Sequence, residues 1–141
     1  MDKKFMDKAL FEEEKSDCVR RKVGCVIVRD NEILIKGYNR AIGGIKPCSE
    51  VGCIRNKYHI KAGEKREICR YICAEQIAVS EAAKKGISLD NSEIYVTYFP
   101  CSLCAKILVN AGVKKIIYLR DYPDDIAKDF LTEANIPYKK L

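Results

Sequence analysis

The sequence predicts an α/β domain in which helices pack on a sheet, and three observations lead to that fold class. Two β-rich runs early in the chain meet at Asp30-Asn31, which is a hairpin signal. After residue 72, segments of helical period alternate with short β-rich runs. The length of 141 residues and the hydrophobic content of 48% suit one domain with one core, so we interpret residues 1–141 as a single domain.

The first half of the chain predicts one helix, one hairpin and one long irregular segment. Residues 2–17 carry apolar side chains at roughly helical spacing among Glu-rich polar positions, which predicts an amphipathic helix. Residues 23–39 form the predicted hairpin. Residues 41–71 have no sustained period and contain several glycines. A structureless loop of that length is uncommon inside a compact domain, so something must tie it down.

The second half of the chain predicts a regular alternation of helices and strands. Gly86 and Gly112 end the first two of these helices. In chain order, we expect a helix at 73–85, a strand at 92–99, a helix at 101–111, a strand at 114–119, a helix at 123–134 and a short strand at 136–141.

The composition favours a cytoplasmic protein. No apolar run approaches the roughly 20 residues of a membrane-spanning helix, and residues 1–17 are too charged for a signal peptide. In a reducing compartment, eight cysteines favour metal ligation over disulfides. Zinc-bound cysteines are thiolates, so the formal charge of +6 overstates the positive charge and is weak support for nucleic-acid binding.

Three cysteines and one glutamate form the strongest functional pattern. Cys73, Cys101 and Cys104 each fall at or near a predicted helix N-terminus, where the helix dipole favours thiolate. Three protein ligands leave the fourth tetrahedral position of a zinc ion open for water, as in catalytic sites. Glu75 can lie beside that water without being a ligand. The Cys101-x-x-Cys104 pair alone fits a redox pair or a structural zinc, but Cys-Ala-Glu upstream and Pro100 directly before it favour catalysis.

The pattern matches that of zinc deaminases, H-x-E followed by P-C-x-x-C, in its three-cysteine form. Zinc lowers the pKa of its water, and Glu75 takes the water's proton and delivers protons to the ring nitrogen and the departing amine. Three thiolates and one Zn²⁺ carry a charge of about −1, so a nearby cation or added N–H donors to sulfur are expected. Arg70 and Lys106 are candidates by sequence proximity, with solvated surface charge as the alternative for each.

The chain resembles the cytidine and deoxycytidylate deaminase superfamily, and most closely its deoxycytidylate deaminase branch. The resemblance covers nearly the whole chain, in order and spacing, through CVRRKVGCVIV, GYN, CSEVGC, GEKREICR, AEQ, YVTYFPCSLCAK and NAGVKKIIY. It implies a three-layer α/β/α sandwich with a five-stranded mixed sheet. It also implies that Asn39 contacts the substrate sugar, that backbone groups at Ala74 help to hold the pyrimidine ring, and that the protein is a homo-oligomer, either a dimer or a hexamer.

Three positions depart from the pattern of that branch. Cys73 stands where the branch usually has histidine, and Ile77 stands where it has asparagine. Arg40 follows GYN in place of glycine, which makes it a candidate contact for a substrate phosphate. An exposed loop arginine is the simpler interpretation of Arg40.

Five cysteines remain outside the catalytic set. Cys25 alternates with apolar neighbours in a predicted strand, so we expect a buried small hydrophobe. The other four suit a tetrahedral structural zinc site that would pin the 41–71 segment to the end of the first helix, and the resemblance supports such a site. His59, the only histidine, is an alternative ligand, although a loop position is the simpler interpretation. The four are Cys18, Cys48, Cys53 and Cys69.

The leading functional prediction is zinc-dependent hydrolytic deamination of a cytosine nucleotide, dCMP to dUMP plus ammonia, in pyrimidine nucleotide metabolism. Cys73 keeps open a deaminase of free cytidine or deoxycytidine, because three-cysteine sites are more familiar there. A base deaminase acting on RNA or single-stranded DNA is a third hypothesis, and a zinc-stabilised binding module without activity is a fourth. The expected partner is a small pyrimidine nucleotide, with no membrane and no nucleic acid.

Overall fold

A mixed five-stranded sheet lies at the centre of the protein. The computed structural model describes residues 1–141. The spatial order of the sheet is β2-β1-β5-β6-β7, in which β1 is antiparallel to both neighbours and β6 is parallel to both neighbours. A separate two-stranded ladder joins β3 to β4. The strands are β1 (Gly24–Arg29), β2 (Glu32–Tyr38), β3 (Arg40–Ala41), β4 (Tyr71–Ile72), β5 (Ser92–Tyr98), β6 (Val113–Arg120) and β7 (Tyr138–Lys140).

Helices cover both faces of the sheet. On one face, α1 places Phe5, Met6 and Ala9 against the β1 residues Val26 and Val28. The other three long helices pack on the opposite face, in the larger core cluster. The predicted three-layer α/β/α sandwich with a five-stranded mixed sheet is therefore confirmed. The long helices are α1 (Asp2–Glu13), α4 (Ala74–Lys85), α5 (Ser102–Asn110) and α6 (Asp125–Glu133).

Alternate side chains of β1 face the two cores, so the alternation in the sequence assigns Cys25 to one face of the sheet. Cys25 and Ile27 belong to the core beneath α4, α5 and α6, whereas Val26 and Val28 belong to the core beneath α1. All four side chains are buried, so β1 is covered on both sides. Cys25 is fully buried in the larger core, which confirms its prediction as a small hydrophobe.

The first helix ends at Glu13, four residues earlier than predicted. Ser16 has left the helix and donates its hydroxyl hydrogen to the backbone oxygen of Asn39 at 2.9 Å. The backbone N–H of Cys18 then donates to the Ser16 hydroxyl at 3.3 Å. These bonds turn the chain from α1 toward β1 and so compete with further helical turns.

Polar contacts with Asp17, in the turn that follows α1, hold the segment between β3 and β4 in place. Asp17 accepts hydrogen bonds from the Tyr71 hydroxyl and, at 2.8 Å, from the Ser49 hydroxyl. The backbone N–H of Cys48 donates to the Tyr71 hydroxyl at 3.1 Å. These hydrogen bonds help to hold the long irregular segment against the rest of the domain. Its local structure is α2 (Cys48–Val51), α3 (Ile54–Lys57) and a 3₁₀ turn at Arg66–Ile68.

None of the helices is long and apolar enough to cross a membrane.

Candidate active site

Three cysteine sulfurs meet beside the N-termini of two helices. Cys73 is the N-cap residue of α4, Cys101 is the N-cap residue of α5, and Cys104 lies in the first turn of α5. The three sulfur atoms all lie within 4.8 Å of one another, and the three residues are buried. Sulfurs around one tetrahedral zinc ion stand about 3.8 Å apart, given Zn–S bonds of about 2.3 Å. The donor set and its spacing therefore fit one zinc ion.

Local hydrogen bonds fix the two helix starts that carry these sulfurs. The Gln76 side chain accepts from the backbone N–H of Cys73 at 2.8 Å, which completes a capping box at α4. Asp124 accepts from the backbone N–H of Ser102 at 2.7 Å and from that of Ala127 at 3.1 Å. One carboxylate thus caps both α5 and α6. The sequence predicts a helix at 123–134 and so places Asp124 inside it, although an aspartate near the start of a predicted helix is a recognisable N-cap signal.

The three thiols of the metal-free cluster shift one another's pKa values. Hydrogen bonds from the Cys104 and Cys73 thiols lower the pKa of Cys101. The same hydrogen-bonded arrangement, together with burial, raises the pKa of Cys104. A metal that binds all three as thiolates must therefore release protons from the cluster.

Glu75 is buried in the wall of the same cavity. Its side chain is only 4% exposed. Burial, and then the negative charge of Cys101, raise the pKa of the Glu75 carboxyl to about 7. A carboxyl group with a pKa near the working pH can both accept and return a proton, which is what a general acid–base requires.

Arg66 is the cation that contacts the sulfur cluster. Its Nη2 donates to the Cys73 sulfur at 2.6 Å, and its Nη1 donates to the Tyr122 hydroxyl at 3.1 Å. Arg70 instead donates to the carbonyl of Lys46, and Lys106 is exposed, so neither of the two cations named from sequence proximity is this hydrogen-bond partner. Arg66 lies seven residues before Cys73 in an irregular segment, where periodicity gives no information about which side chains meet.

A cavity of roughly 400 Å³ opens over the cluster, and its wall is rich in arginine. Glu75 is the only acidic residue of the wall, and none of its arginines forms an ion pair with a carboxylate. Its lining residues include Cys73, Ala74, Glu75, Cys101, Asn39, Arg20, Arg21, Arg55 and Arg66.

Neutral groups hold the cavity arginines in place. Arg21 lies between the rings of Tyr98 and Tyr122, at 4.7 and 4.8 Å from their centroids. Arg20 donates to the Asn56 side-chain oxygen at 2.9 Å. Arg55 is only 4% exposed, and its Nε has no hydrogen-bond partner. A buried guanidinium without a carboxylate is costly unless an anion joins it, so this wall suits an anionic ligand.

Asn39 and Ala74 both line this cavity. The Asn39 side chain donates to the carbonyl of Arg21 and accepts from the backbone N–H of Val23, each at 2.8 Å. Asn39 thus fixes the backbone of the segment that carries Arg21. Ala74 is fully buried at the start of α4, where its carbonyl oxygen lies against Gly37. Arg40 lies outside this wall and pairs with Glu81 at 3.4 Å.

The other four predicted ligands gather less tightly, and two of them, Cys18 and Cys69, line the same cavity. Burial raises the pKa of the Cys48 thiol to about 11, and charge repulsion from Cys69, Cys53 and Cys18 contributes to the rise. The four thiols therefore share one neighbourhood, but only the trio of Cys73, Cys101 and Cys104 has all its ligand atoms within 4.8 Å of one another. His59 is exposed, in a turn with φ of 54°.

Comparison with known proteins places this fold and site in one family. Residues 1–120 match the family described as the cytidine and deoxycytidylate deaminase zinc-binding region. The chain belongs to that family.

Individual relatives agree with this assignment. The chain is 36% identical over 128 residues to ComE operon protein 2 of Bacillus subtilis, covering 90% of this chain. It is 32% identical over 133 residues to the deoxycytidylate deaminase of Schizosaccharomyces pombe, covering 94% of this chain. The aligned part spans 64% of the Bacillus protein and 41% of the yeast protein.

One solved structure covers nearly the whole fold. The dCMP deaminase of cyanophage S-TIM5, in complex with dCMP and dUMP, superposes with a TM-score of 0.83 at 29% identity. The match covers 99% of this chain and 95% of the phage chain.

Proposed function

We propose that residues 1–141 form a single zinc-dependent deaminase domain that hydrolyses dCMP to dUMP and ammonia. One observation carries the proposal: a single cavity is lined by Cys73 and Cys101 of the three-cysteine cluster, by a buried glutamate and by arginines without carboxylate partners. The sulfurs and Glu75 suit the deamination, and the arginines suit a substrate with a phosphate. The Schizosaccharomyces relative and the cyanophage structure, both named for this activity, support the same substrate.

Glu75 is the proposed general acid–base, and Cys73, Cys101 and Cys104 are the proposed ligands of the catalytic zinc. Zinc held there supplies a Lewis acid that makes hydroxide available near neutral pH. Glu75 accepts the proton of the attacking water while the new C–O bond forms at C4 of cytosine. Glu75 delivers that proton to the ring nitrogen. It then takes the proton of the new C4 hydroxyl group and passes it to the amine, and the C4–N bond breaks to release ammonia as the C4 carbonyl forms.

The arginines of the cavity are the proposed phosphate contacts. A nucleoside monophosphate carries a charge near −2 at neutral pH, and guanidinium groups donate paired hydrogen bonds to phosphate oxygens. Arg55 is buried with its Nε unpaired, and aromatic rings hold Arg21 without neutralising it. Both guanidinium groups thus keep their charge uncompensated until an anion arrives.

Asn39 and Ala74 are the proposed contacts to the rest of the nucleotide. A side-chain amide has two N–H donors and two acceptor lone pairs, of which the Arg21 and Val23 backbone groups use one each. The remaining donor and lone pair are available to a sugar hydroxyl. Backbone groups at Ala74 are proposed to hold the pyrimidine ring beside Glu75.

A second, structural zinc is proposed at Cys18, Cys48, Cys53 and Cys69. Their shared neighbourhood supports it, since Cys48 is influenced by the charges of the other three. Such an ion would link the end of α1 to α2, α3 and the turn before β4, and so stabilise the wall that holds Arg20 and Arg55.

A substrate panel tests the nucleotide assignment. We expect kcat/KM for dCMP to exceed that for deoxycytidine at least tenfold, because charge-assisted hydrogen bonds contribute about 1.5–3 kcal/mol each. Arg55→Gln should reduce kcat/KM for dCMP by about 10- to 100-fold and leave that for deoxycytidine nearly unchanged. Arg29→Gln, which removes an exposed arginine bonded to the Ser88 and Asp90 carbonyls, is the matched control.

The same panel separates the alternative that the three-cysteine set favours, a deaminase of free nucleosides. Equal rates on dCMP and deoxycytidine would show that the protein does not recognise the substrate phosphate. Single-stranded oligonucleotides complete the panel, and a preference for them would favour a base deaminase.

A further inference from the structure

The third thiolate gives this site a charge that a histidine ligand would not. Three thiolates and one Zn²⁺ sum to about −1, whereas two thiolates, a neutral histidine and Zn²⁺ sum to about zero. Cys73, Cys101 and Cys104 are all buried, so water screens the excess charge only weakly. The extra electron density also weakens zinc as a Lewis acid. Some group of the protein must balance the third sulfur.

We infer that Arg66 is the positioning residue that balances Cys73, and that this pairing makes the three-cysteine zinc site workable in this chain. The inference rests on the proposed catalytic zinc site. Arg66 acts on the metal through a ligand sulfur, by a fixed positive charge and a hydrogen bond.

The contacts of Arg66 distinguish it from the other cavity arginines. Its Nη2 lies 2.6 Å from the Cys73 sulfur, and it forms no ion pair with a carboxylate. Arg20 and Arg55 instead bond to the Asn56 side chain and the Lys61 carbonyl. Arg66 is thus the one arginine of the wall whose hydrogen bond goes to a proposed metal ligand.

Arg66 has a second hydrogen-bond partner besides the Cys73 sulfur. Nη1 donates to the Tyr122 hydroxyl at 3.1 Å, so the two terminal nitrogens have different partners. An arginine remains charged at any working pH, and its planar fork can serve both partners at once. A lysine would supply the charge through a single nitrogen and lose one of the two bonds.

Zinc affinity in two ligand backgrounds tests the inference without any measurement of activity. Zinc occupancy is measured over a series of buffered free zinc concentrations, and the Cys101→Ser variant gives the curve of any other zinc in the protein. With Cys73 present, Arg66→Gln should weaken the catalytic site about 10- to 100-fold, the usual effect of losing a partner of a metal ligand. With Cys73→His, the same Arg66→Gln change should cost less than threefold, because the charge to be balanced is gone.

Three further variants separate charge from loop placement. Tyr122→Phe removes the other hydrogen-bond partner of Arg66, and Arg70→Gln removes a cation four residues away in the chain; each should leave zinc affinity within threefold of wild type. Arg66→Lys should fall between wild type and Arg66→Gln. This ranking applies in the Cys73 background alone, so the test remains decisive if Cys73→His does not bind zinc.

The outcomes are distinct. The inference is overturned if Arg66→Gln lowers zinc affinity equally in both ligand backgrounds. It is also overturned if Tyr122→Phe lowers zinc affinity as much as Arg66→Gln does. Either result would show that Arg66 only places the loop. Unchanged affinity in Arg66→Gln overturns it as well. A Cys101→Ser protein that binds as much zinc as wild type would instead refute the catalytic zinc site itself, and the inference with it.

Discussion

Replacing Glu75 by glutamine is expected to stabilise the metal-free protein while nearly abolishing its turnover. The substitution keeps the shape of the side chain but removes the buried carboxylate. Burial, and then the negative Cys101 sulfur, raise the pKa of the Glu75 carboxyl from its ordinary value of 4.5 to about 7. The group that is proposed to move protons is therefore one that the metal-free fold would hold more easily without charge.

The size and sign of the effect follow from proton linkage. A carboxyl group with a raised pKa binds its proton more tightly in the folded protein than in the unfolded chain. Stability is thus lost as the pH rises from 4.5 through about 7, and the cost is constant above that range. The full shift corresponds to about 3 kcal/mol at pH 8 and to about 1 kcal/mol at pH 5. Glutamine does not titrate, so Glu75→Gln avoids this cost.

Urea unfolding of the chelated, reduced proteins measures this directly. The variant should exceed wild type by about 3 kcal/mol at pH 8, and the difference should shrink to about 1 kcal/mol at pH 5. With zinc restored, the same variant should retain the metal and lose about 10²- to 10⁴-fold in turnover, the usual contribution of a general acid–base. A stability difference that does not change with pH would refute the account of Glu75 as a carboxyl strained by burial.

Three further substitutions test the framework around the site. Gly37→Ala would place a Cβ 2.3 Å from the Ala74 carbonyl oxygen. It should therefore lower the unfolding free energy by about 1–3 kcal/mol in the denaturation assay and weaken zinc binding. Gly43→Ala is the control, because Gly43 has open space around it, and should change the unfolding free energy by less than about 0.5 kcal/mol. Asp124→Ala removes the caps of α5 and α6 and should lower the unfolding free energy by about 1–3 kcal/mol. Asp125→Ala should lower it less. Equal losses of stability for the two variants in calorimetry would contradict the capping role. Cys48→Ser should reduce the zinc content from two ions per chain to one, whereas Cys25→Ala should keep both; one zinc in the wild-type protein would remove the structural site.

Local patterns were enough to predict the main architecture. The hairpin turn, the glycines after α4 and α5 and the alternating apolar residues of β1 each depend on near neighbours in the chain, where short-range sterics decide the structure. The helix at 73–85 is observed at Ala74–Lys85, with Cys73 as its N-cap. The end of α1 was misplaced because Ser16 bonds to Asn39, a contact over 23 positions that no local period reveals.

Only the residues of the candidate site that belong to a local sequence motif could be predicted. Cys73, Glu75, Cys101 and Cys104 were found because helix starts and ligand spacing are local features. Arg66 was missed, and Arg70 was considered instead, since the irregular segment before β4 has no period from which side-chain directions follow. Arg55 was likewise not foreseen, because its functional interest arises from burial without a partner, which depends on tertiary packing.

The most direct test of the account is a crystal structure of the zinc-loaded protein with anomalous diffraction at the zinc absorption edge. We expect one anomalous peak about 2.3 Å from the sulfurs of Cys73, Cys101 and Cys104, with a fourth ligand that is not a protein side chain and with the Glu75 carboxylate beside it. A zinc-loaded crystal without an anomalous peak between these three sulfurs would contradict the proposed catalytic centre. So would a peak at which a fourth protein side chain completes the coordination of the zinc ion.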